Sequence, residues 1–340
     1  MEMDVLKGLG MLMIIIGHSR CSFPMYELFY SFHVPLFFLI SGYFFSQKYK
    51  WSEVFSKCSK QLILPYIVVA LVTCIVYWLI GGEYVGIKVK EHLIGATIPN
   101  EYNIGLGPIW FFLALFFCRV FYRIITIRVP NTGSRTLFVV IISLMVVIVN
   151  NYYTLNNIPY QISQGITSLI YYHTGYMLAC YKNQIEISRY SKHRWIIIPA
   201  ALIVFLLCLF KYEIGSQCMN FSALVFPCFP LDFLNAILLT VSLFIVVKYW
   251  VKKRGKSKTI ELLAWIGANS LVIYSIHCLE YNFTIHPLAV FIDSCFAKCN
   301  IVVYMLMRFI NPVVHIIICL LGLWLYLKGK MIFEQIRKKE

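Results

Sequence analysis

Two histidines fall inside segments oily enough to sit in lipid. His18 ends the run VLKGLGMLMIIIGH, and His33 interrupts SFHVPLFFLISGYFF. A neutral imidazole in a low-dielectric cavity is suited to taking a proton, because burial disfavours its charged form. Lys7 lies on the same run as His18. On a helix the two side chains are about 20° apart around the axis and about 16 Å apart along it. Asp4 lies near the same face. One stripe therefore carries Asp4 and Lys7 at one end and His18 at the other, on an otherwise apolar helix. Such a stripe lines an internal cavity. The competing reading pairs Lys7 with Asp4 and lets Lys7 snorkel to the interface.

His33 sits at a depth like that of His18, on the next, antiparallel segment. Pro35 removes a backbone donor and loosens the helix there. Ser41 and Gly42, before Tyr43, read as small residues that let helices approach closely. Further on, Pro108 suits a first helical turn and Trp110 an interfacial belt. Arg119 and Arg123 follow one turn apart on one face, suited either to phosphate oxygens or to topology. The stretch WIGANSLVIYSIHCLEY spreads Asn269, Ser270, Tyr274, His277 and Glu280 through an apolar helix, with His277 and Glu280 close enough to interact. His173 and His315 also fall in apolar stretches, where a bond to a backbone carbonyl is the ordinary fate. Asp232 opens a helix after a proline-containing loop and reads as its cap.

The elements that must position these residues are transmembrane helices. The 340 residues are 60% hydrophobic and 13% charged, too apolar for a soluble domain to cover. Ten spans are predicted, at roughly 5–22, 27–45, 61–80, 108–126, 136–153, 162–181, 195–212, 230–250, 262–283 and 303–327. With the N-terminus inside, 24 of the 30 Lys and Arg fall in inner segments and six in outer ones. The positive-inside rule then makes both termini cytoplasmic. The +15 net charge is a topology signal and not a nucleic-acid patch, with some left over for anionic lipids or an anionic cosubstrate. The fold class is thus all-α integral membrane protein, a single domain over 1–340. The first apolar run reads as a span rather than a cleaved signal peptide, since no small-residue cleavage site follows. The outer loop 81–107 is long enough for a lid or a re-entrant piece. Most of the 12 Cys read as small apolar residues. A disulfide among the outer Cys218, Cys228, Cys295 and Cys299 stays open. No Cys/His spacing resembles a zinc site, so no metal is expected.

These pieces resemble the acyltransferase-3 family of bacterial membrane O-acyltransferases, most closely its fucose 4-O-acetylase-like branch. The first element is D-x-x-K-G followed by a histidine, carried by Asp4, Lys7, Gly8 and His18. The second is H-x-P-L-F-F-x-x-S-G-Y, from His33 to Tyr43. The third is the G-P-x-W-F turn of Gly107, Pro108, Trp110 and Phe111. The fourth is I-G-x-x-S-L-x-I-Y-x-x-H, with Gly267, Ser270, Tyr274 and His277. Four elements in this order cover nearly the whole chain. One departure stands out: where the family often has Arg before the P-Y entering span 3, this chain has Gln61, with Lys60 beside it. The soluble esterase-like domain fused to some relatives has no counterpart here.

The resemblance implies transfer of an acyl group, usually acetyl from cytoplasmic acetyl-CoA, to a sugar hydroxyl of a surface or exported glycan, in the bacterial inner membrane. The chemistry asks for a base near the hydroxyl, donors for the thioester oxyanion and cations for the donor's phosphates. His18 is the expected base, with His33 orienting it, sharing the proton or stabilising the oxyanion. Lys7, Lys60, Arg119 and Arg123 are the expected donor contacts. Asp4, Ser41, Tyr43, Trp110, Tyr274, His277 and Glu280 line the substrate cavity. A multi-pass glycan exporter or secondary transporter is the rival class, and turnover of an acyl donor separates the two.

Overall fold

The computed structural model describes every residue except 20, 22, 80–84, 99–104, 156–157, 182–193, 216–218, 286–300 and 338–340. Arg20, Cys218, Cys295, Lys298, Cys299 and the first residues of NIGLGPIWF lie outside the described residues. The described residues are mainly helical. Among the described residues the β pairing is confined to an isolated antiparallel bridge between Asn220 and Val225.

The chain forms two compact units, 1–29 with 250–340 and 30–249. In the first unit α1 (Glu2–His18) packs on α12 (Lys258–Ala268), and α13 (Ser270–Glu280) packs on the long α14 (Ile301–Arg337). Close approach is written into the sequence at two glycines. A Cβ on Gly8 would collide with the backbone carbonyl of Leu263, and one on Gly267 with that of Asp4. Lipid gives apolar helices no hydrophobic reason to associate, so backbone-to-backbone packing through small residues takes over.

The second unit begins within α2 (Phe23–Tyr43), which runs unbroken through Pro35. It continues with α3 (Trp51–Cys58), a π turn at Ser59–Ile63, α4 (Leu64–Leu79), α5 (Val85–Ile94), α6 (Trp110–Arg128) and α7 (Thr132–Asn150). Then come the short α8 (Ile162–Thr167), α9 (Leu169–Cys180), α10 (Arg194–Gly215) and α11 (Leu231–Arg254). Here Gly42 of α2 lies against the backbone of Tyr172, and Gly175 of α9 against that of Leu39. The Ser-Gly pair thus packs as expected at its glycine.

Helix occupies most of each of the ten expected stretches. By length and apolarity together, five helices among the described residues qualify to cross a membrane: Trp51–Leu79, Trp110–Arg128, Thr132–Asn150, Leu231–Arg254 and Arg308–Gln335. A sixth is added if a bent pair counts as one span. That pair is the expected span over 262–283, which bends by 70° between Lys258–Ala268 and Ser270–Phe283. Asn269 explains the break. Its side-chain amide donates to the Trp265 carbonyl at 2.9 Å, competing with the helix's own bonds. The stretch over 162–181 is likewise divided at Ser168, whose hydroxyl bonds the Gln164 carbonyl at 2.6 Å.

The described part of the 81–107 loop carries a short helix. Its α5 is pinned to α4 by the Tyr66 hydroxyl, which donates to the His92 carbonyl at 2.6 Å. Lys88 and Glu91 are buried and 3.5 Å apart. Lys88 also donates to the Gly105 carbonyl, and Glu91 accepts from the Ile98 amide at 3.0 Å. Burial draws the Lys88 ammonium below its usual pKa and pushes the Glu91 carboxyl up, while each charge offsets part of the other's shift. Breaking such a pair from one side strands a buried charge, at a cost of about 3–5 kcal/mol. Lys88→Met is therefore expected to open residues 85–98 to limited proteolysis, and Lys88→Met with Glu91→Met to restore most of the protection. Equal cleavage of wild type and Lys88→Met would contradict the buried pair.

Candidate active site

His18 is the last residue of α1. Its Nδ1 lies 2.8 Å from the carbonyl of Ile14, one turn back. A carbonyl only accepts, so Nδ1 carries the hydrogen and the basic lone pair of the neutral ring sits on Nε2. The ring lies 5.2 Å from that of His277 and 5.4 Å from that of Tyr281, edge-on in the second case. The glycine crossing of α1 on α12 and the bend at Asn269 together aim α13 so that His277 meets His18.

Behind His277 is a buried acid. Glu280, one turn further along α13, has Oε2 at 3.4 Å from Nδ1 of His277. Its Oε1 meets Nδ1 of His315 on α14, and the Cys319 thiol lies 3.6 Å from Oε2. His277, His315 and Cys319 are all fully buried. A carboxylate in lipid is costly unless partnered, and two imidazoles and a thiol supply the partners. The same helix braces the end of α1: Asn311 donates to the Ser19 carbonyl at 2.7 Å, and Arg308 to that of Cys21 at 3.1 Å. At the other end of α1, Lys7 pairs with Asp4 at 2.8 Å. Tyr274 is buried one turn before His277.

The second unit holds the remaining expected residues. His33 is buried, edge-on to Tyr30 at 5.0 Å. His18 belongs to the first unit and His33 to the second. Ser41 was expected to let helices approach and to line the substrate cavity. Its hydroxyl accepts from Nε of Arg119 at 2.8 Å, because the close α2 packing at Gly42 leaves Ser41 facing α6. Arg119 also donates from Nη1 to Gln61 at 3.1 Å. The residue at the family's arginine position is thus engaged, while Lys60 is exposed. Arg123 donates to the carbonyls of Gln47 and Tyr49 at 3.1 and 2.8 Å, clamping the turn after α2. Trp110 stacks on Phe221 at 6.0 Å, and Tyr43 packs on Phe244 at 5.9 Å. Asp232 accepts from the Cys228 amide at 2.7 Å and braces the turn before its helix.

His173 takes a structural place, between the Tyr122 and Thr136 hydroxyls, each at 2.8 Å. His315, Asn311 and Cys319 were not expected as site residues. Their signal was a polar stripe at four-residue spacing on an apolar helix, Asn311–His315–Cys319, which places all three on one face.

The geometry makes two glycines the support of the site. Gly267→Ala is expected to push α12 off α1, destabilise the protein by about 1–3 kcal/mol and separate His277 from His18. Thermal unfolding and activity of the purified protein check this. Gly329→Ala, which meets nothing within 4 Å, is the neutral control.

No curated protein and no solved structure matches the chain. The family described as an acyltransferase domain, acyltransferase 3, matches residues 2–328. That match spans all four sequence elements and every candidate site residue. The chain is a multi-pass membrane protein of the acyltransferase-3 family, and the reaction class that goes with it is acyl transfer.

Proposed function

We propose that the protein moves an acetyl group from cytoplasmic acetyl-CoA to a sugar hydroxyl of a surface or exported polysaccharide, in the bacterial inner membrane and in the manner of the fucose 4-O-acetylase-like branch. The observation that carries this reading is the fixed tautomer of His18: Nδ1 is committed to Ile14, so Nε2 is the basic atom. A sugar hydroxyl is a poor nucleophile until a base takes its proton. In the proposed step the hydroxyl proton moves to Nε2 of His18 as the oxygen attacks the thioester carbonyl carbon. The C–S bond then breaks, and the CoA sulfur leaves with the proton from His18. The products are the sugar ester and free CoA. His277 packs on the His18 ring, and Glu280 holds His277 through Nδ1. His33 assists by sharing the proton or stabilising the oxyanion.

Arg119 and Arg123 are the preferred contacts for the donor's phosphates. Arg119 spends two of its five N–H donors on Ser41 and Gln61. Arg123 bonds neutral carbonyls, which leaves its positive charge unmatched by any carboxylate among the described residues. Lys60, exposed, is a secondary candidate. Lys7 is the weakest, since Asp4 already balances it.

The test is transfer of label from acetyl-CoA into a panel of glycans by purified protein in vesicles. His18→Ala is expected to lower kcat by about 10²–10⁴-fold with acceptor KM little changed. Arg119→Ala is expected to raise the donor KM by roughly tenfold or more, the worth of charged hydrogen bonds of about 1.5–3 kcal/mol. Full activity in His18→Ala would remove His18 as the base. Intact wild-type protein that transfers nothing would point to another acyl donor or to transport.

A further inference from the structure

The cluster behind His277 brings together side chains whose types and separations also suit a metal ion. Two helices each contribute a pair of metal-ligating residue types at one-turn spacing: His277 and Glu280 on α13, His315 and Cys319 on α14. Pairs spaced this way project from one helical face and are a standard means of building metal sites in bundles. A ring nitrogen of His277, a carboxylate oxygen of Glu280 and Sγ of Cys319 all lie within 4.8 Å of one another.

The separations match co-ligation. A tetrahedral zinc ion holds N and O donors at about 2.0–2.2 Å and S at about 2.3 Å, which puts neighbouring donor atoms roughly 3.3–3.7 Å apart. His277 Nδ1 and Glu280 Oε2 are 3.4 Å apart, and Glu280 Oε2 and Cys319 Sγ 3.6 Å. The first distance is long for an N–H···O bond, whose ordinary range ends near 3.2 Å. Nε2 of His277 is buried without a hydrogen-bond partner among the described residues, so the ring's polar engagement is on the Nδ1 side. Nδ1 of His315 takes the other oxygen of Glu280, the outer contact that typically orients a ligating carboxylate. Charge also balances: a divalent ion with one carboxylate and one thiolate is neutral overall, which suits a site buried at membrane depth.

We propose that His277, Glu280 and Cys319 form a binding site for a divalent, thiol-accepting cation of the zinc class, with His315 orienting the carboxylate. Zinc is the best match to an N, O, S donor set of this size. Binding releases the Cys319 proton to solvent and changes no oxidation state. The site lies beside the His18 ring and does not depend on which acyl group or acceptor the protein uses.

The experiment uses the full-length protein in detergent, stripped with a chelator and reloaded with zinc or cobalt(II). Wild type is expected to hold about one zinc per chain and, with cobalt, to show a thiolate-to-cobalt charge-transfer band with tetrahedral d–d bands. Cys319→Ser is expected to lose the charge-transfer band, and Glu280→Gln to lower zinc content at least tenfold at limiting metal. Cys180→Ser, an exposed cysteine far along the sequence, should retain both signals. Should Cys319→Ser fail to fold, a zinc-dependent rise in the wild type's Tm that is absent in Glu280→Gln carries the same information. Wild type with no bound zinc and no cobalt–thiolate band would overturn the proposal. So would metal retained by Cys319→Ser and lost by Cys228→Ser, since Cys208, Cys228 and Asp232 form the other group of donors close enough to compete among the described residues. All these readouts are independent of acyl transfer, so a failure of the acetyl-transfer reading leaves them standing.

Discussion

The first unit depends on a backbone-to-backbone contact. Gly8 and Gly267 let α1 and α12 approach until each helix meets the other's peptide carbonyls. In a bilayer the lipid tails are as apolar as leucine, so two oily helices gain little by touching unless they fit closely. Glycine gives that fit, and dispersion between tightly packed backbones supplies the attraction. Everything around His18 follows from it. The α1 helix is held against α12, the chain bends at Asn269, and α13 comes back toward the end of α1 with His277 on the facing side.

The bend and the acid cluster show how polar groups are managed in an apolar protein. Asn269 and Ser168 break helices by bonding carbonyls one turn back, which satisfies their own polar atoms and frees the chain to turn. Glu280 is the harder problem, because a buried carboxylate without partners costs several kcal/mol. Placing two histidines and a thiol on it turns that cost into a rigid node that ties α13 to α14. The Lys88–Glu91 pair solves the same problem in the second unit, where it holds α5 in place.

Arg119 shows how a departure from a family pattern is absorbed. Gln61 stands where an arginine is common, and it accepts from Arg119 beside Ser41. Gln61 and Ser41 are neutral acceptors, so these bonds hold the guanidinium without a carboxylate. The serine that looked like a packing residue is an anchor for that guanidinium, and its neighbour Gly42 performs the packing.

The sequence by itself determined that this is an all-helical membrane protein, because apolar runs of span length have no other stable use. It also carried the four motif elements, and with them the family. Local contacts were legible too: Asp4 with Lys7 and His277 with Glu280 are one turn apart and could be read from spacing. Only the tertiary structure decided that Gly8 meets the Leu263 backbone, that Arg119 meets Gln61, and that His315 and Cys319 close on Glu280. Those partners are 35 or more residues apart along the chain or belong to separate helices. Helical periodicity says which face a residue shares with its neighbours, but not which other helix that face will meet.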